Sequence, residues 1–411
     1  MISQQSTEEV ATVIQHQQTL PQHAKSRLVV SLSPQSRASL AAYYNLSIES
    51  VYLKLHTFFT QILPFEAVFD TNIGREIALV EGAREFQSRW LQKQQGGNTS
   101  PLPVISASCP GWICYAEKTH HEILPYLSSI RSPQQLTGAL IKTLFARREN
   151  VAPDKIWHLS VMPCFDKKLE ASRFDFSENG VRDVDCVITT AELNNMIMEH
   201  KIDFTQLPES LSVSPLETRM MSHPGSSSGG YLHHIMTVSA HQLFGLDVDV
   251  AQAKGVQIRT VRNGDMVEYT LEENGHVKLR MARCYGFRNI QNLVRKLEGK
   301  KGKVVKKKNT PEHEYDYIEV MACPSGCVNG GGQLSAPVAG EKVYGAKEWL
   351  QHVEQVYQTQ MTELPSLERV EELYGEWFGN QVDEGRKRCI ETEYHGVEFT
   401  VGNALLLGSR W

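Results

Sequence analysis

Four cysteines stand in three short segments of this chain: ASCPGW with Cys109, VMPCFDKKLEAS with Cys164, and EVMACPSGCVNGGGQ with Cys323 and Cys327. Thiolates are soft ligands, and four that converge suit zinc or an iron–sulfur cluster. Each segment follows a short apolar run that reads as a buried strand: PVIS, HLSVM and YIEVMA. In open α/β sheets, ligands bind beyond the carboxyl ends of the strands, so three such strands would deliver the thiols to one crevice. Cys323 and Cys327 are spaced i and i+4, which a helical turn after the strand would point the same way. The run Gly330–Gly332 behind them implies close backbone approach or positive φ. Any one of these cysteines, taken singly, reads as a small buried apolar residue. The shared context of strand end, Pro and Gly argues for a metal, while spacing alone does not separate zinc from iron. Cys114, Cys186, Cys284 and Cys389 fall in expected helices, strands or the tail and are expected in the core.

The elements that must position these segments are legible from periodicity and caps. Residues 1–25 are Gln-rich and read as a short helix capped by Ser6 or Thr7, with Val10, Val13 and Ile14 on one face. Strands are expected at 27–33, 65–71 and 184–190, and helices at 35–44, 47–63 and 75–94. Ser132 followed by Pro133 opens a helix over 132–148. Thr189 with Glu192 is a capping-box pattern. The segment 286–300 puts Ile290, Leu293, Val294 and Leu297 on one face and ends near Gly299. Two more amphipathic helices are expected at 341–361 and 367–379. Strands that alternate with helices predict a parallel α/β architecture.

Composition narrows the partners. The chain has 411 residues, 41% hydrophobic and 22% charged, with a net charge of −5. This is an ordinary globular balance, and it gives no reason to expect nucleic acid as the main partner. No apolar run approaches the ~18 residues needed to span a bilayer, so no membrane partner is expected. The first residues are polar with no basic stretch, so no secretory signal is visible and a reducing compartment is expected. Metal binding is then favoured over disulfides. KKGKVVKKK (300–308) reads as a solvated loop, with a nuclear-localisation patch as the alternative. HPGSSSGGYLHH (223–234) is a Gly/Ser loop running into a helix and reads as a flexible turn, with an anion held on its backbone N–H groups as the alternative. His233 and His234 are expected at the surface.

The cysteine segments resemble the three active-site segments of iron-only ([FeFe]) hydrogenases. They are more similar still to the cytosolic iron–sulfur protein assembly factors, also called nuclear prelamin A recognition factor-like proteins. ASCPGWICYAEKTH, PCFDKKLEASR, DVDCVITTAEL, YGFRNIQNLV, ACPSGCVNGGGQL, TEYHGVE and a terminal Trp carry the likeness. The resemblance implies a two-lobed hydrogenase-like α/β domain over 26–411, with mostly parallel sheets flanked by helices and the cluster between the lobes. Lobe A would take about 26–150 and 315–411, and lobe B about 151–314, after an N-terminal polar helix or tail at 1–25. It implies one [4Fe-4S] cluster on Cys109, Cys164, Cys323 and Cys327, with Lys167 and Glu170 close by. Ser108 stands where hydrogenases carry a proton-relay cysteine, so hydrogen turnover is not expected. The family has an N-terminal cysteine-rich segment for a second cluster, and this chain has no cysteine before Cys109. The implied function is cluster binding in cytosolic iron–sulfur protein assembly, as a scaffold or adaptor for delivery to apo-proteins. A hydrogenase-like redox enzyme, or an interaction protein with a structural cluster, are the alternatives. Implied partners are the cytosolic iron–sulfur targeting complex and its apo-protein clients, in the cytoplasm and also the nucleus. Trp411 is an expected docking element for that complex.

Overall fold

The apolar runs pair as two sheets in the computed structural model, which describes residues 5–97, 101–106, 108–210, 222–261, 263–299, 315–337 and 344–397. In chain order the strands are β1 (Arg27–Leu32), β2 (Ala67–Asp70), β3 (Val104–Ile105), β4 (Ile156–Met162), β5 (Ser177–Glu178), β6 (Val181–Arg182), β7 (Cys186–Thr189), β8 (Val256–Thr260), β9 (Met266–Glu273), β10 (His276–Tyr285) and β11 (Tyr317–Met321). The first sheet runs β2-β1-β4-β7 and is parallel throughout. Its central strands are buried almost end to end, as strands covered on both faces must be. The second sheet runs β3-β11-β10-β9-β8. Its β3, β11 and β10 are parallel, whereas β9 and β8 continue it antiparallel. This hairpin edge departs from the parallel pattern. Asn274 and Gly275, at φ 52° and 75°, close β9 onto β10, the two-residue turn that Asn-Gly favours. A small ribbon, β5 with β6, stands apart from both sheets.

The connecting helices form where caps and periodicity placed them. Ser6 caps the helix Thr7–Thr19, and Thr189 and Glu192 form a reciprocal capping box at Thr190–Glu199. Ser132 and Pro133 do open a helix, but the Ser132 hydroxyl does not cap it; it donates to Glu170 Oε2 at 2.9 Å instead. Two expected α-helices widen into π turns, at Phe58–Ile62 and Ile141–Phe145. In each, a threonine hydroxyl bonds back to a carbonyl four residues earlier: Thr60 to His56, and Thr143 to Ala139. Such back-bonding competes with the helical ladder. A helix at Val382–Cys389 lies beyond the expected elements.

One core joins the two sheets. Val29 and Phe69 of the first share it with Leu279, Met281 and Tyr317 of the second, together with Ile77, Leu136, Leu140 and Ile235 from intervening helices. The strands do not assort by the expected boundaries at 150 and 315. β4 and β7 pair with β1 and β2, and β8 to β10 pair with β3 and β11. Residues before 26 dock rather than trail. The Gln5 amide donates to Lys168 O (2.8 Å) and Ser172 Oγ (2.7 Å), and its oxygen takes the Val187 N–H of β7 (3.1 Å). At the other end, buried Glu81 accepts from Arg84 (2.7 Å), Tyr374 (3.1 Å) and Arg386, tying the last two helices to Asn72–Gln94.

Candidate metal centre

The carboxyl ends of β3, β4 and β11 meet, and each hands over its cysteine there. β3 leads to Cys109, which stands at the N-cap of the helix Pro110–Thr119 with Pro110 in the first turn. β4 leads to Cys164, just before the helix Asp166–Ala171. β11 leads to Cys323 and Cys327. The last two are not joined by a helical turn, as i and i+4 spacing suggested. Ser325 (φ 62°) and Gly326 (φ 84°) reverse the chain between them, and Cys327 opens a single short turn. A side chain at 326 would be strained by that φ and would also meet Ser228 Oγ at 2.2 Å.

The four thiols occupy one neighbourhood. Burial raises each above its ordinary value, and for three of them neighbouring cysteines push in the same direction. Cys164 feels Cys109 and Cys327; Cys323, pushed up to about 12, feels Cys109 and Cys164; Cys327, also about 12, feels Cys109 and Cys323. All four residues remain partly exposed, so the site lies near the surface. Among the described residues, no three His, Cys, Asp or Glu side chains close up on a single metal ion. A four-iron core takes its thiolates at separate corners and does not require that closure. The donor set therefore fits such a cluster: four cysteines, mutually adjacent, with thiol protons that metal binding would release.

Close packing holds the segments in place. Ala322 N donates to Cys109 Sγ (3.4 Å), and Cys327 N donates to Ser228 Oγ (3.1 Å). Gly332 N donates to Pro163 O (3.0 Å), and a Cβ at Gly330 would lie 2.3 Å from that same oxygen. Gly111 likewise lets Asp166 Oδ2 come within 2.6 Å of where a Cβ would be. The helix that begins at Cys109 is clamped to the Cys164 segment by Glu117, whose carboxylate takes both Arg173 nitrogens at 2.7 and 2.9 Å. The segment 390–397 straps the same helix, with His395 N on Glu117 Oε1 (3.0 Å) and Val397 N on Glu117 O (2.9 Å), and Tyr394 OH donates to Ser128 O beyond it (2.9 Å).

Ser108, Lys167 and Glu170 come together beside the cysteines. Lys167 Nζ donates to Ser108 O (3.2 Å) and Glu170 Oε2 (2.9 Å), and Glu170 also accepts from Ser132 and Gln134. Trp411 and the lysine run lie outside the described residues. Cys186, Cys284 and Cys389 are buried as expected; Cys114 is only half-buried and lines a small cavity of about 20 Å³ with Arg131, Glu170 and Tyr394.

Two expectations need correction. His234 is 4% exposed and His233 half-buried, because the helix Tyr231–Phe244 packs into the shared core. The Gly/Ser turn does meet carboxylates, but they belong to this chain. Glu319 of β11 takes the Leu232 N–H at the helix start (2.8 Å), and Glu354 takes the Ser227 N–H (3.2 Å). Ser228, Asp166, Glu117 and Arg173 are site residues that sequence reasoning did not name, although Glu117 lies inside ASCPGWICYAEKTH, Asp166 and Arg173 inside PCFDKKLEASR, and Ser228 inside the Gly/Ser turn.

The chain is similar to known proteins along its whole length. Residues 26–331 match the family of the iron only hydrogenase large subunit, C-terminal domain. The "Cytosolic Fe-S cluster assembly factor narfl" of Danio rerio is 45% identical over 423 residues, covering 100% of this chain and 96% of that protein. The "Cytosolic iron-sulfur assembly component 3" of Mus musculus is 45% identical over 406 residues, covering 97% and 80%. A NAR1 homolog of the same description in Schizosaccharomyces japonicus is 41% identical over 422 residues, covering 93% and 80%. Among solved structures, the apo [FeFe]-hydrogenase HydA1 from Chlamydomonas reinhardtii superposes with a TM-score of 0.74 at 23% identity, over 94% of this chain and 98% of that one. At that identity the likeness speaks for the fold, the two-lobed hydrogenase-like α/β architecture.

Proposed function

Since the chain belongs to the cytosolic iron–sulfur cluster assembly factors, a family built on the iron-only hydrogenase fold, we propose that it binds one [4Fe-4S] cluster through Cys109, Cys164, Cys323 and Cys327 and serves as a scaffold or adaptor for cluster delivery in the cytosol. The observation that carries this reading is the meeting of four thiols from three separate strand ends. Joining strands that are distant in sequence makes cluster binding a folding contribution as well. The cluster, when bound, is cargo to be passed on. The Lys167 ammonium offsets its negative charge, and Glu170 holds that ammonium in place. Ser108 offers a hydroxyl where a relay would need a group that titrates near neutrality, so hydrogen turnover is not part of the function. The partners are the cytosolic targeting complex and apo-proteins awaiting a cluster.

Anaerobically loaded protein should pass iron and sulfide to an apo-acceptor and evolve no hydrogen from reduced viologen. An acceptor left empty while the chain keeps all its iron refutes delivery. Sustained hydrogen evolution refutes the non-enzyme reading.

A further inference from the structure

The Cys164 segment carries three large apolar side chains that the described residues leave exposed. Phe165 is 51% exposed, Leu169 44% and Phe174 77%. Phe165 directly follows Cys164, and Leu169, four residues on, lies on the same face of the short helix. Phe174 stands in the turn that follows. A Cβ at Gly331 would lie 3.8 Å from Phe165 Cδ2, so the first ring abuts the turn behind Cys327. Pro324, Ser325 and Gly331 are exposed beside it, and Cys164 and Cys323 are partly so. The cations around these side chains are engaged within the chain: Lys167 with Glu170 at 2.9 Å, Lys168 with Glu192 at 2.6 Å and over the Phe165 ring, Arg173 with Glu117 at 2.7 Å. A partner would find apolar surface here whose neighbouring cations are already paired, and exposed aromatics of this kind mark interaction sites.

We propose that Phe165, Leu169 and Phe174 form the docking rim for the protein that receives the cluster, an apo-protein presenting free cysteine thiols beside an apolar face. This rests on the delivery role proposed above. Ligand exchange identifies the occupant. Each iron–sulfur bond to this chain that breaks is replaced by one to the acceptor; the acceptor's thiol proton passes to the departing cysteine, and no electron is exchanged. The incoming cysteines must therefore reach the partly exposed ligand cysteines, Cys164 among them, and the body that carries them rests on the apolar side chains that follow Cys164.

The test uses loaded full-length chain, a [4Fe-4S]-type apo-ferredoxin as acceptor, and a small iron chelator as control. Leu169→Ser with Phe174→Ser should leave the iron content and the chelator rate unchanged. It should weaken acceptor binding in sedimentation and slow transfer by about tenfold, the size of one good interface anchor. Phe174→Leu, which keeps apolar area, should stay near wild type. Equal transfer by wild type and the double variant overturns the rim while leaving delivery intact. A matching rise in the chelator rate also overturns it, by showing a loosened cluster. Altered self-association without altered transfer assigns these side chains to a second copy and overturns it too. No transfer from the wild type overturns the delivery role and this proposal with it.

Discussion

Replacing Glu170 by Gln is expected to act on the empty protein far more than on the loaded one. Glu170 is 7% exposed, and its Oε2 accepts from Lys167 Nζ at 2.9 Å, Ser132 Oγ at 2.9 Å and Gln134 Nε2 at 3.0 Å. The Lys167 side chain is 11% exposed, and its other acceptor is Ser108 O at 3.2 Å. At that separation the attraction is about 6 kcal/mol at an effective dielectric near 20. Removing one partner from a buried pair costs about 3–5 kcal/mol, most of it from the charge left behind. Glutamine keeps an oxygen for one of the two neutral donors, so about 3 kcal/mol is expected in the empty chain. With the cluster bound, its negative charge takes over as the counter-ion of Lys167. The loss then falls to about 1 kcal/mol, the value of the weakened hydrogen bonds. Urea unfolding followed by tryptophan fluorescence measures the empty chain, and loss of visible absorbance in urea measures the loaded one. Equal destabilisation in both states would show that Lys167 does not answer to the cluster. No loss in the empty chain would show that the pair does not carry its charge.

Three further outcomes are expected. Cys164→Ala, Cys323→Ala and Cys327→Ala should each abolish the broad visible absorbance, whereas Cys186→Ala, Cys284→Ala and Cys389→Ala should keep it; the reverse pattern in iron content and spectra overturns the ligand set. Burial lowers the His158 imidazole to about 3, and its Nδ1 donates to Asp183 O at 2.9 Å. The folded chain thus binds no proton there while the unfolded chain does below about pH 6.5, so stability present above that pH is lost as pH falls toward 3. This residue accounts for about 2 kcal/mol between pH 6.5 and 5, and His158→Asn should flatten the urea midpoint over that range by that much. Asp70→Ala strands Arg37, with both side chains at 1% exposure or less and 2.6 Å apart. A loss of about 3–5 kcal/mol is expected, largely restored by adding Arg37→Met, and an unchanged unfolding midpoint in the single variant would contradict it.

What could be read from sequence was what local rules determine. The capping box at Thr189, the cap at Ser6 and the apolar runs of β1, β4 and β11 follow from short-range chemistry, and the structure has them in place. That each cysteine segment follows a strand was legible from the apolar runs, but β4 lies in one sheet and β3 and β11 in the other, so their meeting depends on how the two sheets pack. Other long-range choices were not legible either. Nothing local says that Ser132 spends its hydroxyl on Glu170 rather than on its own helix, or that Glu319 caps a helix from another strand. His234 looked like a surface residue beside a Gly/Ser turn, yet the helix that follows is covered by the core. The lobes were drawn along the chain, whereas strand pairing interleaves the segments.

The most direct measurement is the metal content of the chain purified without oxygen, with iron, acid-labile sulfide and zinc counted per chain in the wild type and in Cys327→Ala. The account predicts about four irons and about four sulfides in the wild type, as a single cluster requires, and a loss of both in the variant. About one zinc without sulfide, or about eight irons, or iron retained after removal of Cys327, would contradict it.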